Sequence, residues 1–93
     1  MADLPYDPAQ EKDRLSAAHR AVHKHWGTTQ MGQACEELAE AIAHAEQVLA
    51  ALDPHYETEG VAFRVHLLGH MTQFTRDELE VAQRVALTLS TPR

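Results

Sequence analysis

Residues 31–52, MGQACEELAEAIAHAEQVLAAL, decide the fold. Met31, Cys35, Leu38, Ile42, Ala45, Leu49 and Leu52 recur at alternating steps of four and three. That recurrence keeps one apolar stripe on a helix for about six turns. Glu36, Glu37, Glu40 and Glu46 fall off the stripe, as an exposed face requires. The helix is expected to stop at Asp53-Pro54, because the residue before a proline is pushed out of the helical region.

The chain upstream repeats the pattern on a shorter scale. Residues 1–7 read as an extended lead-in, and the single helical domain spans 8–91. Asp7 is the expected N-cap and Pro8 suits a first helical turn. Leu15, Ala18, Val22 and Trp26 then form an amphipathic face that Gly27 ends, and Thr28 or Thr29 caps the helix that follows. Downstream, a third helix is expected to begin between Pro54 and Gly60 and to run to about Thr72. Its apolar residues fall into two groups, Val61, Val65 and Leu68 beside Phe63, Leu67, Met71 and Phe74. A helix so broadly apolar is either central or partly an interface.

Thr75 followed three residues later by Glu78 matches a capping box, so a fourth helix is predicted from about Arg76 to Ser90. Leu79, Ala82, Val85, Ala86 and Leu89 form its inward face. The alternative is one long helix, since Gln73 and Phe74 contain no strong breaker. The expected fold is therefore all-α, an up-and-down antiparallel bundle of four helices, or of three if the last two are continuous.

Composition narrows the function. Eight Lys and Arg against fourteen Asp and Glu give a formal charge of −6, which disfavours a nucleic-acid partner. Protonating all seven histidines would carry that count to +1. Cys35 is the one cysteine, so there is no internal disulfide and no Cys-x-x-Cys zinc pair, and a cytoplasmic location is expected. The first residues carry neither a basic segment nor an apolar run, and no stretch is apolar for the length of a membrane span.

The histidines carry most of the candidate chemistry. His19/His23 and His66/His70 are His-x-x-x-His pairs, which place two imidazoles on one face of a helix. His19 and His23 fall at the boundary of the first helix's apolar face. His66 and His70 share a polar stripe of the third helix with His55, Glu59 and Gln73. Either pair can hold zinc or another transition metal only if other groups complete the coordination shell. For His66 and His70, a symmetric dimer supplying four imidazoles is the simplest completion. No other cofactor is expected.

Two resemblances bear on the same residues. His55-x-x-x-Glu59 followed by His66-x-x-x-His70 is similar to elements of hemerythrin-type di-iron proteins. That family places the elements on separate helices and adds a later His and Asp, whereas no histidine follows His70 here. Glu36-Glu37-Leu38-Ala39-Glu40 resembles the E-E-x-x-E half of MazG-type nucleotide pyrophosphohydrolases, which implies magnesium held between carboxylates. The E-x-x-D half that such a site also needs is missing downstream.

Further single residues read more plainly. Glu40 and His44, one turn apart, can hydrogen-bond to each other. Cys35 lies about 40° from the centre of its stripe, between Met31 and Leu38, where an inert buried thiol is the common case. Trp26 is expected to plug an end of the core. The chain therefore reads as a non-enzymatic binding domain acting on itself or another protein through Phe63, Leu67, Met71 and Phe74. Metal binding through the histidine pairs is the alternative, and a magnesium-dependent hydrolase the more distant one.

Overall fold

A computed structural model describes residues 7–52 and 61–90. They form α1 (Pro8–Lys24), α2 (Met31–Leu52) and α3 (Val61–Ser90), and each helix packs against the other two. There is no strand among the described residues. His55, Glu59 and the expected start of the third helix before Val61 lie outside them.

The α1 start follows the sequence closely. Asp7 is extended and its carboxylate accepts the Ala9 N–H at 3.0 Å, while Pro8 occupies the first turn. At the other end the chain leaves the helix at His25 and reverses at Gly27, whose φ of +79° lies in the left-handed region that favours glycine. The Thr28 hydroxyl donates to the His25 carbonyl and accepts from the Gln30 N–H, which ties the turn before α2.

The core is built from three matching rows. In α2, Met31, Ala34, Leu38, Ala41, Ala45, Val48 and Leu52 are all buried, with Cys35 and Ile42 beside them. In α1 the row runs Pro8, Glu11, Leu15, Ala18 and Val22. Steps of three and four in alternation average 3.5 residues, the period of a coiled-coil seam. Trp26 does not plug the core as expected: it lies beyond the end of α1 and stays 40% exposed.

The four-helix version of the fold is corrected here: the described residues form three helices, as in the alternative with the last two continuous. Residues 61–90 are one helix, running through the predicted break at 73–75. The reason lies in Thr72 and Thr75, which are 3% and 0% exposed. They fill two places in the inward row Val65, Leu68, Thr72, Thr75, Leu79, Ala82 and Ala86. The Thr72 hydroxyl donates to the Leu68 carbonyl at 2.7 Å. That of Thr75 donates to the Met71 carbonyl at 2.8 Å and also reaches the Thr72 carbonyl. Each hydroxyl is thus satisfied within its own helix, and its methyl group is left to pack. Thr75 is not a cap, and Glu78 is not recruited to a capping box.

Candidate metal centre between α1 and α3

In the three-helix arrangement α1 lies directly against α3. His19 and His23 stand one turn apart on α1, and their rings meet edge to face at 4.6 Å. Glu78, at mid-length on α3, turns its carboxylate into the same groove. Its Oε1 lies 3.6 Å from His19 Nε2 and 3.9 Å from His23 Nε2. One ligand atom from each of the three residues falls within 4.8 Å of the others, and no other such group of three occurs among the described residues.

The surroundings are lopsided. The His19 side chain is 18% exposed, and its Nε2 is buried without a hydrogen-bond partner. A buried imidazole nitrogen left in that state is costly unless something satisfies it. Phe74, one turn before Glu78, meets the His19 ring edge-on at 5.4 Å. Trp26 stacks on the His23 ring at 5.7 Å and 18°. The donors therefore sit between aromatic walls, with His23 at the open side.

The other expected residues are arranged differently. His66 and His70 bring their Nε2 atoms to 3.0 Å, with rings edge to face, and both are exposed. Among the described residues no third donor joins them. Of the expected contact residues, Phe63, Leu67 and Phe74 are exposed, whereas Met71 is half-buried against the core. Val81 belongs with the exposed group and was not singled out by sequence.

Glu36, Glu37 and Glu40 are exposed along α2 and join no three-donor group among the described residues. His44 turns across to α1, where its Nδ1 donates to Glu11 Oε1 at 2.5 Å. Glu11 is buried, and the Arg14 guanidinium lies 3.7 Å from its other oxygen. Cys35 is buried, and desolvation pushes its thiol pKa above the ordinary value, so it has less thiolate than a free cysteine. A nucleophilic role is thereby disfavoured.

Glu78 is the residue that sequence reasoning missed. Its place three residues after Thr75 absorbed it into a capping box, and only burial of both threonines separates the two readings. The fold and donor set define a class, a three-helix bundle with a His-His-Glu cluster between its first and last helices. Comparison with protein-family models, curated proteins and solved structures finds no match for the chain. No described helix is long and apolar enough to cross a membrane.

Proposed function

We propose that this chain is a helical bundle that binds a transition metal, zinc by preference, through His19, His23 and Glu78. One observation carries the reading: three donors from two helices converge around a buried, unpartnered imidazole nitrogen. Tetrahedral zinc with bonds of about 2.0–2.2 Å holds its donors roughly 3.4 Å apart. The 3.6 and 3.9 Å separations at Glu78 Oε1 need only a small contraction. Two imidazoles and one carboxylate suit zinc, nickel or copper, whereas magnesium prefers an all-oxygen shell. The ion would act as a clamp between α1 and α3, and its binding would add to folding stability.

The test is titration of untagged, metal-free protein with zinc, nickel and magnesium, read by calorimetry and by melting temperature. One zinc per chain, lost in His23→Ala and Glu78→Gln, supports the proposal. No heat and no rise in melting temperature would sink it. A plain His–Glu ion pair predicts that second outcome.

A second reading is favoured by the exposure of Phe63 (68%), Phe74 (50%) and Leu67 (38%) along α3. These residues form a contact face for another chain, in keeping with a binding rather than an enzymatic role. Light scattering over a concentration series checks it, and a strict monomer at high concentration would leave self-association without support.

A further inference from the structure

The metal centre has a coordination position that its own side chains do not fill. Tetrahedral zinc takes four donors, and His19, His23 and Glu78 supply three. No fourth His, Cys, Asp or Glu joins them among the described residues. The second oxygen of Glu78 can close on the ion only at a narrow angle, and zinc accepts a fifth ligand, so a position stays open in either case. Structural zinc sites are closed by four protein ligands. Three protein ligands and one open position are the mark of sites that exchange what they hold.

Charge says what kind of donor belongs there. Two neutral imidazoles and one carboxylate leave a divalent ion with one positive charge uncompensated. The ion would lie against the His19 side chain, only 18% exposed, where water compensates charge poorly. A single anionic donor neutralises the centre, and a carboxylate oxygen from outside suits zinc as well as that of Glu78 does.

The walls of the groove say what that donor carries. Trp26 stacks on the His23 ring and Phe74 meets the His19 ring edge-on, so an aromatic residue braces each imidazole. Both remain partly in water, Trp26 at 40% exposure and Phe74 at 50%. Trp26 comes three residues after His23, Phe74 four before Glu78, and the exposed Val81 three after it. Each therefore stands about one turn from a metal donor and within about 60° of it around its helix. Exposed apolar side chains grouped around a metal position form the surface that an apolar group on a ligand would cover.

We propose that the open zinc position binds the carboxylate of a small aromatic acid, whose ring packs against Trp26 and Phe74. The inference rests on the metal reading above and names what that site takes. The metal selects for the carboxylate, and the aromatic rim selects for the ring. A neutral aromatic molecule lacks the anionic donor, and acetate lacks the apolar body.

The experiment loads the full chain with cobalt(II), a coloured stand-in for zinc whose visible spectrum changes with its ligands. Sodium benzoate, sodium acetate and benzyl alcohol are titrated in turn. Trp26 is the one tryptophan of the chain, so its fluorescence in zinc-loaded protein reports separately on packing of the ring. Benzoate is expected to change both signals saturably, at one per chain and about tenfold more tightly than acetate, a modest share of what full burial of a ring provides. Benzyl alcohol should leave the cobalt spectrum unchanged, and metal-free protein should lose the benzoate response.

Phe74→Ala separates the two parts of the site. Phe74 is half exposed, and circular dichroism verifies that the variant is folded. It should keep cobalt and acetate but lose most of the preference for benzoate. A cobalt spectrum that neither anion alters overturns the open position, and equal affinity for benzoate and acetate in wild type overturns the aromatic rim. Either result leaves the three-donor metal site standing. Failure of wild type to bind cobalt or zinc defeats the metal reading, and this inference falls with it.

Discussion

The carboxylate of Glu11 on α1, buried in the core row, accepts a hydrogen bond from Nδ1 of His44 on α2 at 2.5 Å. It is a polar bolt through an otherwise apolar seam. A carboxylate taken out of water depends on its partners, and here these are one imidazole and the more distant Arg14. His44→Ala is expected to cost about 1–3 kcal/mol in urea unfolding, the usual cost of leaving such a group under-satisfied. Replacing both Glu11 and His44 by leucine should recover most of that loss. A double-mutant cycle measures the coupling, and a coupling near zero would show the pair to be incidental.

Zinc should raise the melting temperature in proportion to its occupancy. At a free concentration one hundred times Kd the stabilisation is about 2.7 kcal/mol. For a domain of this size that is a rise of roughly 10 °C or more. Glu78→Gln keeps the side chain's size but removes the anionic oxygen, so its melting curve should move little on adding zinc. Differential scanning calorimetry with and without chelator reads the difference.

Thr75→Val separates a mid-helix threonine from a cap. Loss of an N-cap hydroxyl costs typically about 1 kcal/mol. In the continuous α3 the hydroxyl only doubles up on carbonyls of its own helix, and the buried methyl remains. The valine variant should therefore lie within about 0.5 kcal/mol of wild type or slightly above it, because such back-bonding mildly disfavours the helix. A clear destabilisation in denaturant titration would argue for a helix start at this point.

Cys35 should react slowly with thiol reagents in the folded protein. Burial both blocks access and raises the thiol pKa, so thiolate is scarce at neutral pH. The rate with a neutral alkylating agent should climb as pH rises through and beyond the ordinary thiol range, and should jump on unfolding in urea. Fast modification at pH 7 without unfolding would contradict the buried position.

Much of this was readable beforehand because apolar periodicity reports directly on burial. The α2 stripe, the Asp7 cap and the Gly27 turn all follow from local chemistry. What escaped is polar residues in core positions. Glu11, Thr72 and Thr75 occupy the inward rows, but a hydropathy pattern cannot distinguish a satisfied polar group from an exposed one. That single blindness had two consequences, a helix wrongly divided at Thr75 and a carboxylate, Glu78, assigned to a cap instead of a groove. His19 and His23 were legible as a pair, whereas their meeting with Glu78 depends on which helices are neighbours.

Because α3 runs unbroken from Val61 to Ser90, it has no elbow between His70 and Glu78. A rigid rod transmits displacement along its length instead of absorbing it. Whatever draws His66 and His70 toward a ligand at one end must carry Phe74 and Glu78 with it, against His19 on the neighbouring helix. The histidine pair at the surface and the donors in the groove thus lie on one lever, and the chain gains a mechanical connection that two separate helices would not have given it.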